Sequence, residues 1–201
     1  MTGGRSDPAG FARTLDPPDS APAASTQTGV AGAALHDPSI CREFDIRIAR
    51  DGTWFYHGSP ISRKPLCRLF ATVLRRDEGG EFWLVTPVER GRITVDDAPF
   101  TAVELSVVGA GEDRILRFRT NLDHEVTAGP ANPIRVVERP AEGSGALEPA
   151  PYIVVRDRLE ARIVRPVFYQ LVELAEERVI AGRKVLGVRS AGAFFALGSP
   201  I

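Results

Sequence analysis

From Phe44 onward the chain alternates apolar and polar positions: Phe44, Ile46 and Ile48, then Trp54 and Tyr56. A period of two belongs to a half-buried strand, and Asp51-Gly52 between the two runs supplies the residues of a hairpin turn. After Gly58-Ser59-Pro60 the period lengthens. Leu66, Leu69, Phe70, Val73 and Leu74 then share one face of a helix, which Pro65 suits at its first turn and Gly79-Gly80 stops. Strand-like runs follow at residues 82–86, 92–96, 101–108 and 115–120. The second half repeats the scheme, with strands predicted at 133–137, 152–155 and 159–163, a helix over 166–178, and strands at 185–189 and 193–197.

A shift of 102 positions places Ile61, Arg63, Leu66, Leu69, Phe70 and Val73 on Ile163, Arg165, Phe168, Leu171, Val172 and Ala175. Both copies read Ile-x-Arg ahead of an amphipathic helix. The pattern predicts an α+β fold of two similar subdomains, each a mainly antiparallel sheet with one α-helix, related by internal duplication. The stretch Gly129-Pro130-Ala131-Asn132-Pro133 sets the expected boundary, giving subdomains at 39–130 and 131–201, with a surface loop over 139–149. Residues 1–38 are rich in Gly, Pro, Ala, Ser and Thr and hold few large apolar side chains, so a disordered tail is expected there.

Charge excludes some partners. The 201 residues carry 25 basic and 26 acidic side chains, a net charge of −1, which argues against non-specific binding to nucleic acid or to an acidic membrane. No run approaches the roughly 18 apolar residues of a membrane span, and no signal-like segment opens the sequence. A soluble cytoplasmic protein is expected, with Cys41 and Cys67 reduced.

Enzymatic motifs are sparse. His36, His57 and His124 are scattered, and the chain has no HExxH, GxSxG, P-loop or GxGxxG pattern, so no catalytic residue, metal or cofactor is assigned. Glu89, Asp96 and Asp97 are the one acidic group able to hold a divalent ion. Neighbours on a strand point to opposite faces, however, so Asp96 and Asp97 converge only if Pro99 bends the chain. An Asx turn paired with an arginine is the plainer account. Of the basic residues only Lys64 and Lys184 are lysine. Arg158, Glu160 and Arg162 alternate with Leu159, Ala161 and Ile163, and Arg117 and Arg119 with Leu116 and Phe118. Such stripes offer planar donors to phosphate or carboxylate oxygens, or simply pair across strands. Arg63 and Arg165 stand ahead of helices, a recurrent setting for anions. Tyr152 beside Pro151 is the aromatic least tied to a core role.

The strings DGTWFYHGSPISR (51–63), VTPVE followed by ITVDDAPF (85–100), FRTNLDHEV (118–126), PYIVVRDRLEARIVRP (151–166) and LGVRSAGAFFALG (186–198) resemble the bacterial family known as domain of unknown function 1285. The resemblance implies a duplicated α+β fold, a second half like a pleckstrin-homology domain, and a cleft between the halves for a nucleotide-like or nucleic-acid-derived ligand in signalling or stress responses. On that basis Arg162 and Arg165 are the expected anion contacts, with Thr86, Glu89, Asp97 and Asn121 as polar partners from the first subdomain. The expected function is non-enzymatic sensing of a small anionic ligand. A protein-interaction adaptor with a signalling partner is the alternative, and a metal-dependent hydrolase using Glu89, Asp96 and Asp97 comes third.

Overall fold

The computed structural model describes residues 42–140, 143 and 145–199. The expected tail at 1–38 lies outside the described residues. The first sheet is built from β1 (Arg42–Ile48), β2 (Trp54–Tyr56), β3 (Ser59–Pro60), β4 (Leu74–Arg76), β5 (Phe82–Val85) and β6 (Arg90–Val95), in the order β3-β2-β1-β6-β5-β4. The second holds β7 (Phe100–Val108), β8 (Ile115–Thr120), β9 (Glu125–Thr127), β10 (Ile134–Pro140), β11 (Leu147–Arg156) and β12 (Leu159–Ile163), in the order β10-β11-β12-β7-β8-β9. Helix α1 (Lys64–Val73) joins β3 to β4, and α2 (Arg165–Glu173) follows β12. A third sheet, β13 (Glu176–Ile180), β14 (Arg183–Ser190) and β15 (Ala193–Gly198), completes the described chain.

Duplication is visible in the sheets. Each six-stranded sheet consists of two three-stranded antiparallel meanders whose first and last strands lie parallel at the centre, β1 against β6 and β12 against β7. The repeat therefore equates β1–β6 with β7–β12. It does not equate the helices, as the 102-position shift expects: α1 lies inside the first repeat and α2 after the second. In the second sheet only residues 128–133 connect the edge strands β9 and β10. The seven Cα steps from Thr127 to Ile134 reach at most about 25 Å, and the turn closed between Gly129 and Asn132 shortens that reach further, so the sheet curls to bring its edges together.

Three other expectations need correction. The boundary near 130 cuts through a sheet, because β7, β8 and β9 pair with β12 and with one another; the sheets part between Val95 and Phe100. Helix α2 ends at Glu173 rather than near 178, since residues 176–180 pair with β14. Finally, α1 buries Cys67 and Ala71 and leaves Leu69 61% exposed. Its inward face is thus rotated from the predicted one toward Cys67 and Ala71, and Leu74 belongs to β4.

One core serves both halves. Ile48, Trp54, Leu74 and Leu84 from the first sheet join Phe118, Ile153, Leu159 and Ile163 from the second, together with Leu171 of α2 and Val188 of β14. Arginines close the helix ends, where neither sequence supplies a capping glycine. Arg156 of β11 donates to Ala71 O of α1, and Arg114 donates to Leu174 O beyond α2 at 2.9 Å. Burial and neighbouring Arg75 push the Arg156 guanidinium below its ordinary value, so its bond to α1 is made against a desolvation cost. At the other end of α1, Lys64 pairs with Asp123 at 2.7 Å and Arg68 donates to Leu122 O at 2.9 Å. Helix α1 is thus fastened to the second sheet at both ends. Because Leu74 is fully buried and Leu69 is not, Leu74→Ala should cost about 2–5 kcal/mol in chemical denaturation, and Leu69→Ala less than about 0.5 kcal/mol; equal losses would refute the burial assigned to these two positions.

Candidate functional site

Residues 96–99 are the whole connection between the first two sheets. Asp96 and Asp97 diverge there, as strand geometry predicts. Asp96 takes a two-point grip from Arg47 of β1, with Nε donating to Oδ1 at 2.9 Å. Asp97 turns onto the second sheet. Alternation along β11 and β12 sends Ile153, Ala161 and Ile163 into the common core, leaving Tyr152 and Arg162 on the other face. Register then aligns Arg135, Tyr152 and Arg162 across β10, β11 and β12. The linker covers this row: Ala98 packs with Ala150 and Tyr152 in a small apolar cluster of their own.

The Asp97 side chain is only 2% exposed. Its Oδ1 accepts hydrogen bonds from Arg139 Nη1 at 2.6 Å and from the Tyr152 hydroxyl at 2.7 Å. Its Oδ2 accepts none among the described residues, yet lies 3.8 Å from Arg50 Nε and 3.7 Å from Arg162 Nε. Arg50 comes from the turn after β1, and Arg139 and Arg162 from the second sheet, so the carboxylate binds both halves to their connection. Arg139 and Arg162 of the second sheet thus share the one Asp97 carboxylate, with Arg50 of the first half beside them. Unlike Asp97, the arginine side chains reach solvent, at 30%, 41% and 28% exposure for Arg50, Arg139 and Arg162. Arg135 lies over the Tyr152 ring at 4.7 Å and pairs with Glu160 through Nη2 at 2.6 Å. Burial, followed by the bond to Asp97, pushes the Tyr152 phenol up to about 12.

Of the six expected site residues, the structure brings Asp97 and Arg162 together. Asn121 stands beside them as a brace: Thr101 N donates to its Oδ1 at 3.2 Å, and its Nδ2 donates to Gly52 O at 3.1 Å. Gly52 has φ +86°, and a Cβ there would collide with Asn121, so glycine serves both the turn and this close approach. Thr86 and Glu89 shape the β5–β6 turn. The Thr86 hydroxyl donates to Glu89 O and accepts from Glu89 N, both at 3.0 Å, while the Glu89 carboxylate pairs with Arg42 at 3.1 Å. Arg165 pairs with Glu148 at 2.8 Å beside a groove of about 260 Å³ lined by Pro149, Pro151, Ile163, Phe168 and Tyr169. Glu89, Asp96 and Asp97 thus each face a different arginine set, and no metal-holding group of His, Cys, Asp or Glu occurs among the described residues. Arg50 and Arg139 escaped the sequence reading, the first beside a turn and the second at the start of an expected loop. No helix is long and apolar enough to cross a membrane.

Two six-stranded sheets of one topology, joined through an arginine-ringed carboxylate, define a duplicated two-domain protein. Residues 33–98 match the domain of unknown function (DUF1285), N-terminal domain, and residues 99–197 match the protein of unknown function (DUF1285), C-terminal domain. The chain belongs to the DUF1285 family, and the division between its two family domains falls inside the linker, directly after Ala98. A DUF1285 family protein from Silicibacter pomeroyi DSS-3, known from its crystal structure, is 48% identical over 78% of this chain and 81% of its own, with a TM-score of 0.70. Another, from Shewanella baltica OS155, is 21% identical over 65% of this chain and 91% of its own, with a TM-score of 0.49. No curated protein matches.

The Tyr152 environment gives a measurable signature. An unfolded chain releases a tyrosine proton near pH 10, whereas the folded protein holds this one to about 12. The stability it contributes is therefore fully present below pH 10 and lost as pH rises from about 10 through 12. Ultraviolet titration should show one of the three tyrosines ionising late, and Tyr152→Phe should remove that late step; three equivalent transitions near pH 10 would contradict the buried Tyr152–Asp97 bond. Asn121→Ala should lower stability by about 1–3 kcal/mol, as expected when a buried backbone partner is lost; an unchanged denaturation midpoint would show the brace to be dispensable.

Proposed function

We propose that this protein is a non-enzymatic, cytoplasmic sensor that binds a small anionic, nucleotide-like ligand where its two halves meet, acting in signalling or a stress response. The observation that carries the reading is the convergence of the partly exposed Arg139 and Arg162 guanidinium groups on the one buried Asp97 carboxylate. Arg139 and Arg162 are the anion contacts from the second half, and Arg50 the contact from the first. Planar, fork-like donors suit the oxygens of phosphate or carboxylate. A pleckstrin-homology-like second half fits the curled double meander followed by α2. An adaptor role is the second reading, favoured by the groove at Arg165, where Tyr169 is exposed beside Pro149 and Pro151.

Thermal-shift screening against pyrophosphate, nucleotides, sugar phosphates and divalent metals separates these readings, since a ligand selective for the folded state raises its melting temperature. An anion should give the largest shift. Arg162→Ala and Arg139→Ala should each weaken its binding by about 1.5–3 kcal/mol, while Arg165→Ala should leave affinity unchanged. Equal affinities for wild type, Arg139→Ala and Arg162→Ala would sink the assignment, and a response confined to metals would favour the hydrolase.

A further inference from the structure

Independently of the anion site, and resting on the adaptor reading, we propose that the groove between β11 and α2 docks a short peptide segment of a partner protein, one that carries a large apolar side chain beside a carboxylate. The face of β11 that packs into the common core does not stop where the core ends. Ile153 and Pro151 are buried, whereas Pro149 and Leu147, next along the same face, are exposed, Leu147 at 63%. Tyr169 of α2 lines the same groove as Pro149 and Pro151 and is 58% exposed. An apolar strip left open in this way, with a tyrosine and an arginine on its rim, has the composition of a docking spot for another protein. At about 260 Å³ the groove is small for an enclosed ligand pocket. It has room for one large side chain.

Backbone geometry excludes an added strand as the occupant. β12 pairs with β11 only from Tyr152 onward, so Leu147, Pro149 and Pro151 have β10 on one side and no strand on the other among the described residues. Val154 N donates to Pro133 O at 3.1 Å on the β10 side, and alternation then turns the backbone groups of Pro149 and Pro151 to the open edge. Neither has an N–H to offer a new strand. Recognition there comes from side chains, and Arg165 sets their charge. Its side chain is 68% exposed and donates through Nη2 to Glu148 alone, at 2.8 Å, which leaves Nε and Nη1 without an acceptor among the described residues. The first turn of α2 holds no acidic residue that would repel an incoming carboxylate. A planar guanidinium with spare donors suits a second carboxylate, and this selects an acidic neighbour for the apolar anchor.

The test selects peptides from a phage-displayed random dodecapeptide library on the full chain. The selected sequences are then made synthetically and measured by fluorescence polarisation against wild type, Tyr169→Ala, Arg165→Ala and Glu148→Gln. They should pair Leu, Phe or Trp with Asp or Glu. Tyr169→Ala should weaken their binding about tenfold and Arg165→Ala about fivefold. Glu148→Gln removes the acid that shares Arg165 and should tighten binding about threefold, a gain that damage to the fold would not produce. Both Arg165 and Tyr169 are exposed, so the melting temperatures of their variants should stay close to that of wild type. Apolar peptides that need Tyr169 but carry no acid, or show no gain with Glu148→Gln, would overturn the acidic pairing and leave the adaptor reading standing. Failure to enrich any sequence, or equal binding to all four proteins, would overturn the groove as a docking site and the adaptor reading with it. A wild-type dimer in sedimentation that Tyr169→Ala dissociates would make the occupant a second copy of this chain and overturn the partner peptide.

Discussion

A carboxylate withdrawn from water costs several kcal/mol unless cations meet it, and Asp97 sits almost without solvent where the two sheets are joined. Its neutralisation requires β10, β12 and the turn after β1 to arrive at one place. Arg139 of β10 and Arg162 of β12 come from the second sheet, and Arg50 from the first. Asn121 holds the turn that carries Arg50 by bonding Gly52 O on one side and Thr101 N on the other. The relative setting of the halves is thus fixed twice, by a shared apolar core and by one buried charge. A core of aliphatic side chains tolerates small sliding movements; an ion cluster of this kind does not.

Arginine does two different jobs in this molecule, which explains why its abundance alone says little. Arg68, Arg75, Arg76, Arg114 and Arg156 donate to backbone carbonyls at the ends of helices and in turns. Those of Arg75, Arg114 and Arg156 stand at helix C-termini, in place of a capping glycine. Arg47 spends its donors on Asp96, Arg92 on Glu43 and Glu81, and Arg119 on Glu104 and Asp123. Arg139 and Arg162 differ from both groups in converging on a carboxylate that is itself buried.

Much of the fold was legible because strands and helices each impose one period. The alternations at Phe44–Ile48 and Leu159–Ile163 and the helical spacing after Pro65 all mark real elements. The parallel pairing of β1 with β6 and of β12 with β7 was not legible, since a strand's own pattern carries no information about its partner's direction. That omission misplaced the boundary near 130: without the β12–β7 pair, nothing assigns residues 100–127 to the second half. The same limit hid the site. Asp97 and Arg162 sit in distinctive strings, DDAPF and LEARIVRP, and were found. Arg50 and Arg139 stand in ordinary surroundings and acquire meaning only when the sheets bring them within 4 Å of Asp97. Thr86 and Glu89, in an equally distinctive string, turn out to serve their own hairpin.

The parallel centre of each sheet bears on how the chain comes to be folded. A meander can pair as soon as its three strands exist, but β1 finds its second neighbour only when Val95 has been made, and β7 only at Ile163. Neither sheet can nucleate from its middle outward by local steps, because the middle is its most non-local contact. Loop closure must precede the reward, which slows assembly relative to an all-antiparallel meander. On a ribosome, where the chain emerges from its N-terminal end, the first sheet can complete itself while the second is still being synthesised. It would then wait with the apolar face of α1 and the inner side of β1 uncovered until the second sheet arrives to close the common core.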